Sequence, residues 1–182
     1  MPILGTIASQ VPANLPTNSF ISIATSTVGS GGASSISFNS IPSTYKHLQI
    51  RGIAKWGSAY TAYSRIQFNG DTGANYVQHR MEGYGSGAVT AAGYTGETSG
   101  IIGVNSDTQW GLSITDVLDY SSTNKYKTVK TIGGYDNNGS GGLALSSTLW
   151  SSTSAVTSII LLPSNGVTFI ENSTFALYGI KG

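Results

Sequence analysis

Of the 182 residues only 9% are charged, nine Lys plus Arg against eight Asp plus Glu for a net charge of +1, whereas 47 are Ser or Thr and 24 are Gly. An ordinary soluble domain carries roughly 25% charge, and the shortage of Glu and Lys excludes a helical bundle or coiled coil. So small a net charge gives no field for a polyphosphate, so no nucleic-acid partner is expected, and 39% hydrophobic residues exclude a disordered chain.

The first nineteen residues read as an extended N-terminal arm, because Pro2, Pro12 and Pro16 disfavour helix interiors and central strands. Ile3, Leu4, Ile7, Val11 and Leu15 are more apolar than a solvated tail requires. They fit a strap across the same domain or an arm reaching a neighbouring subunit. The segment has no basic region followed by a long apolar run, so it is not read as a secretory signal.

Residues 20–182 read as one domain, dominated from Phe20 onward by period-two alternation. In 45–56, Leu48, Ile50, Gly52, Ala54 and Trp56 share one side, and His47, Gln49, Arg51 and Lys55 share the other. In 60–68, Tyr60, Ala62, Ser64, Ile66 and Phe68 alternate with Thr61, Tyr63, Arg65 and Gln67. These are half-buried antiparallel strands with one wet face. Asn69-Gly70-Asp71-Thr72-Gly73 is a turn, and 76–82 is the expected partner strand beyond it. Further strands are expected at 19–25, 34–41, 101–104, 109–120, 125–132, 142–150, 156–162, 167–171 and 173–180. About ten short strands with regular turn signals predict an all-β, antiparallel β-sandwich of jelly-roll type. The 83–100 segment, GYGSGAVTAAGYTGETSG, lacks periodicity and reads as a long loop, the best placed to contact a partner through Tyr84 and Tyr94. The longest apolar run, Ile159 to Leu162, is far short of the roughly 20 residues that span a bilayer, so no membrane partner is expected.

Catalytic chemistry finds little support. No G-x-S-x-G elbow occurs among the many serines, and His47 and His79 fall within strands, where a solvated or packed histidine is the simpler reading. Asp116 and Asp119, three apart on a strand, face opposite sides, so they make no obvious glycosidase pair. The segments 29–32 and 139–142 lack the Lys and helix of a phosphate loop, and 136–139 lacks the rest of a calcium loop. With no cysteine, thiolate nucleophiles and Cys-based zinc sites are absent. No catalytic residue, cofactor or metal is therefore expected. Contact residues are expected instead, on the arm, on the His47, Gln49 and Arg51 face, and at Tyr84 and Tyr94.

Several stretches carry a resemblance: SIPSTYKHLQIR (40–51), FNGDTGANY (68–76), VLDY (117–120) with TNKYKT (123–128), and STFALYGIK (173–181). In this order, from about Phe20 onward, the chain resembles a family of small virion structural proteins of tailed bacteriophages. The resemblance implies a non-enzymatic, trimeric jelly-roll subunit on the particle, and carries no catalytic residue with it. Two roles follow as expectations. The first is a capsid decoration or cement protein that meets copies of itself and the major capsid protein. The alternative is a tail-fibre or receptor-binding head that recognises host glycans.

Overall fold

In the computed structural model the described residues are 19–57 and 62–181. They contain twelve strands: β1 (Phe20–Thr27), β2 (Ile36–Phe38), β3 (His47–Ala54), β4 (Ala62–Phe68), β5 (Tyr76–Tyr84), β6 (Thr90–Glu97), β7 (Gly100–Asn105), β8 (Gly111–Leu118), β9 (Lys127–Tyr135), β10 (Gly142–Trp150), β11 (Ile159–Pro163) and β12 (Thr174–Ile180). No helix occurs among the described residues. The expected arm, with Ile3, Leu4, Ile7, Val11 and Leu15, lies outside them apart from its last residue, as does Tyr60.

The pairings are all antiparallel and form two sheets. One has eight strands in the order β1-β12-β3-β8-β9-β10-β5-β6, and the other has four in the order β2-β11-β4-β7. Their facing sides bury a common core, a sandwich-like arrangement. The larger sheet supplies Leu48, Ile50, Val117, Phe175 and Leu177, and the smaller supplies Ile36, Phe38, Ile66, Phe68, Ile159 and Leu161. Alternation explains which residues enter it. On β3, Leu48, Ile50, Gly52 and Ala54 are buried while Arg51 and Ile53 are exposed.

Asparagine–glycine pairs make the sharp reversals. Asn69 and Gly70 have φ of 53° and 69°, and Asn138 and Gly139 have 50° and 97°, the positive values that Asn and Gly tolerate best. The Asn69 turn also ties the chain to the approach of β11. Its Oδ1 accepts from the Thr157 N–H at 2.8 Å and the Ser158 N–H at 3.1 Å, and its Nδ2 donates to the Ala155 carbonyl at 2.8 Å. Just beyond, the Trp150 indole donates to Asp71 at 2.6 Å and holds that carboxyl below the usual range. The Tyr76 hydroxyl accepts from the Phe68 N–H at 2.9 Å.

Three sequence expectations are corrected. β5 does not pair with β4 across the 69–73 turn; it crosses to the larger sheet and lies between β10 and β6. The 83–100 segment is no long loop, because β5 runs into it as far as Tyr84, β6 crosses its middle as the edge strand of that sheet, and β7 begins at Gly100. The 167–171 segment makes only isolated bridges, Phe169 to Ala33 and to Trp56.

One packing detail sets the character of the larger sheet. The four-stranded sheet ends at β7, which packs against the inner side of β8, β9, β10 and β5. A strand at an edge carries N–H and C=O groups without a ladder partner. Here side chains of the opposite sheet supply them: the Ile101 N–H donates to Gln78 Oε1 at 3.0 Å, and Ser146 Oγ donates to the Ile101 carbonyl at 3.1 Å. The approach is close. A Cβ at Gly100 would meet Thr148 at 2.5 Å, and one at Gly103 would meet Ser113 at 3.1 Å. The inner side therefore carries small or polar residues, among them Ser113, Thr115, Thr131, Ser146 and Thr148, all buried. Lys127 is buried there too, its ammonium donating to the Lys125 and Thr153 carbonyls at 2.8 and 3.2 Å.

Two outcomes follow. Gln78→Leu leaves the buried Ile101 N–H without an acceptor and should lower unfolding free energy by about 1–3 kcal/mol in urea titrations. Burial pushes the Tyr76 hydroxyl up to about 12 and raises those of Tyr84, Tyr63 and Tyr120 as well. A folded-state pKa above the unfolded value of about 10 contributes stability that is complete below that pH and lost as pH rises through the folded value. The unfolding midpoint should thus fall between about pH 10 and 12, a loss attenuated in Tyr76→Phe.

Candidate functional site

The larger sheet's outer side inverts the usual order. In β10, Ala144, Ser146 and Thr148 point inward while Leu143 and Leu145 point outward and are 61% and 49% exposed. Pairing register lines these residues up with apolar neighbours. One row joins Arg51 on β3, Ile114 on β8, Ile132 on β9, Leu145 on β10, Met81 on β5 and Ala91 on β6. The adjacent row joins Ile53, Leu112, Gly134, Leu143 and Gly83. Trp110 and Val89, both exposed, border the second row. Between the side chains lies a shallow trough of about 690 Å³, lined by Trp110, Leu112, Ile132, Tyr135 and Leu143 over a floor of glycines that includes Gly134.

Ile53, Met81, Val89, Trp110, Leu112, Ile132, Leu143 and Leu145 are each between 43% and 65% exposed, and large apolar side chains gathered on one continuous sheet face mark a contact surface. Among the described residues Leu143 and Leu145 belong to no buried cluster. The patch is mostly aliphatic, and its polar fringe is limited to residues such as His79, Lys130 and Asp136. Sugars need convergent hydrogen-bonding side chains and flat aromatic platforms, whereas aliphatic surface suits another protein's apolar side chains.

Toward β12 the same outer side turns polar, and here the structure brings His47, Gln49 and Arg51 together as the alternation requires. Each is engaged within the chain. Arg51 Nε donates to Gln49 Oε1 and Gln49 Nε2 donates to Asp116 Oδ1, both at 2.8 Å. The Arg51 guanidinium lies over the rings of Phe20 and Tyr178, 5.5 and 5.1 Å from their centroids. His47 Nδ1 accepts the Asp119 N–H at 3.0 Å. Asp119, at φ 48°, takes Lys125 at 2.7 Å and Lys46 at 3.3 Å, and these partners hold its carboxyl below the usual range. The trio is thus a rigid border to the apolar rows.

Tyr84 and Tyr94 lie on the opposite side of β5 and β6. The Arg80 guanidinium is sandwiched between the rings of Tyr63 and Tyr94, 4.7 Å from each centroid, and donates to the Tyr94 hydroxyl at 2.9 Å. Buried Glu82 completes the cluster, accepting the Tyr63 hydroxyl at 3.2 Å and lying 3.1 Å from Arg80 Nε. The Tyr84 ring covers Gly142, where a Cβ would come within 2.8 Å of it, and burial raises its hydroxyl's pKa. Tyr84 is therefore a packed residue rather than a free platform, while Tyr94 keeps a third of its surface exposed.

Trp110, Leu112, Ile132, Leu143, Leu145 and Met81 were not singled out by sequence reasoning. The signal lay in β10, whose alternate residues are leucines on one side and Ala, Ser and Thr on the other. Neither family models nor the curated proteins give a match to this chain.

If the exposed leucines serve contact rather than folding, replacing both Leu143 and Leu145 by Ser should change unfolding free energy by only about 0.5 kcal/mol or less per site. The same change should sharply reduce binding of an apolar dye to the folded protein, read by fluorescence titration.

Proposed function

We propose that this chain is a non-enzymatic virion structural subunit of a tailed bacteriophage, and specifically a capsid decoration or cement protein. The observation that carries the reading is the in-register apolar row Ile114, Ile132, Leu145 and Met81 on an outer sheet face, a surface built for protein contact. The text resemblance over residues 40–51, 68–76, 117–120, 123–128 and 173–181 supplies the particle context.

The strand order supports a jelly-roll reading of the fold. Setting aside the β5–β6 and β9–β10 hairpins, the remaining strands fall into β1-β12-β3-β8 and β2-β11-β4-β7. Apart from the step from β4 to β7, successive strands of this set alternate between the two groups, the order expected of a double Greek key. The hairpins then extend one sheet and carry most of the apolar rows.

In this role the chain binds copies of itself, in the trimer that the resemblance implies, and the major capsid protein, with an N-terminal arm as an added tether. Anything that binds only the assembled shell raises the shell's stability by mass action. Scant surface charge serves such contacts, because few ions lose their hydration on association. A receptor-binding head that takes host glycans is the second reading, favoured by the exposed rings of Trp110 and Tyr94.

Gold-labelled antibody against the chain should decorate the heads of purified particles in many copies. Label confined to a few copies at the tail would replace the decoration role with the receptor-binding one, and unlabelled particles would refute both.

A further inference from the structure

We propose that the apolar outer face of the β8-β9-β10-β5 region docks the same face of a second copy of this chain through a two-fold contact. The inference rests on the reading of the chain as an assembly subunit and names the surface and the partner.

The area is sufficient. The rows cross six strands, β3, β8, β9, β10, β5 and β6, and at about 4.8 Å between strands and about 3.3 Å per residue along them the face is broad enough for the approximately 800 Å² that each partner buries in a standard stable interface. Two sheets pack face to face about 10 Å apart with strands within about 30° of alignment, and the eight-stranded sheet offers a face broad enough for that geometry.

The face is also complementary to itself. Gly133 pairs with Ser113 on β8 and with Ala144 on β10, and Ala144 pairs with Glu82 on β5, so these four residues mark one level across the strands. A two-fold axis lying in the contact plane at this level, across the strands, reverses each strand over its own copy. Ile132 then meets the partner's Gly134, and Met81 meets the partner's Gly83, a large side chain over a bare backbone position in each case. Leu143 meets the partner's Leu145, and Leu112 meets the partner's Ile114.

Charge sets the direction. On β9 and its continuation, Lys130, Ile132, Gly134 and Asp136 follow one another at alternate positions, with Lys130 and Asp136 equally far from Gly133. The same axis places Lys130 against the partner's Asp136, and the symmetric pair forms at the other end. Lys130 is exposed and makes no ion pair among the described residues. An axis parallel to the strands and running over β9 would instead set Lys130 over its own copy, which like charges disfavour. The contact is isologous and closes on itself, so it is compatible with a trimer formed through other surfaces, in which case it joins two trimers.

Sedimentation equilibrium on the full chain tests this. The wild type should show an even-numbered assembly, and Leu145→Glu, which forces two carboxylates into the contact, should weaken it at least about a hundredfold and halve the assembled mass. Circular dichroism and the unfolding midpoint report whether that variant is folded. A second arm does not depend on it: Lys130→Asp and Asp136→Lys each set like charges against each other and should weaken association about tenfold, while the double swap should restore it. The Lys130→Asp change also removes a cation beside Asp116, a defect the second substitution cannot repair, so recovery reads the contact alone. A monomer at the highest soluble concentration, an assembly indifferent to Leu145→Glu, or a double swap no better than the single changes would each overturn the proposal. Loss of the contact in a protein that still labels phage heads refutes the contact and leaves the structural role standing. A two-fold assembly in solution with unlabelled particles does the reverse.

Discussion

The backbone of β7 must find hydrogen-bond partners on its open side, and Gln78 and Ser146 of the opposing sheet provide them at Ile101. That requirement governs the chemistry of the four strands beneath. Side chains there must be short enough to let β7 come close, as the contacts around Gly100 and Gly103 demand, and polar enough to serve an edge. Leu or Ile at these positions would hold β7 away and leave its N–H and C=O groups dry and unpaired, at a cost comparable to a lost hydrogen bond each. Close packing and polar satisfaction are thus met by the same residues.

Once the inner positions are committed to Ser, Thr, Ala and Gly, the apolar residues of β8, β9 and β10 stand outside. An outward row of Leu, Ile and Met contributes nothing to the monomer's core and invites association. Its border at Arg51, Gln49 and His47 is locked by bonds within the chain, so it presents a preformed edge rather than loose charges that must be ordered on contact. Scarcity of charge, the first property visible in the sequence, operates here as a low desolvation cost across a wide sheet face.

Much of the fold was legible in the residue order. The alternation in β3 and β4 gave the correct buried side, and the Asn69-Gly70 and Asn138-Gly139 pairs mark real reversals because a positive φ suits those residues. What escaped has physical causes. β6 reads Thr-Ala-Ala-Gly-Tyr-Thr-Gly-Glu and is exposed along most of its length, so no contrast between two sides marks it as a strand. The site escaped because period-two alternation reports that a strand has two different sides without reporting which is inside. In β10 the leucines are the natural choice for the core, and only the position of β7 reverses the assignment. β5 was assigned to the wrong neighbour because a turn signal fixes a reversal but not the sheet that the returning strand joins.

The two hairpins enter the chain between strands whose own pairings close without them: β1-β12-β3-β8 in one sheet and β2-β11-β4-β7 in the other. The inner sides of these hairpins remain tied to the frame, through Gln78 and Ser146 to β7, so it is their outer rows alone that can vary independently. Substitutions on the outer rows of β9, β10 and β5 can retune which surface is recognised while Leu48, Phe68 and Phe175 go on holding the frame. A lineage could exchange partners by rewriting one appendage, with its central architecture left unchanged.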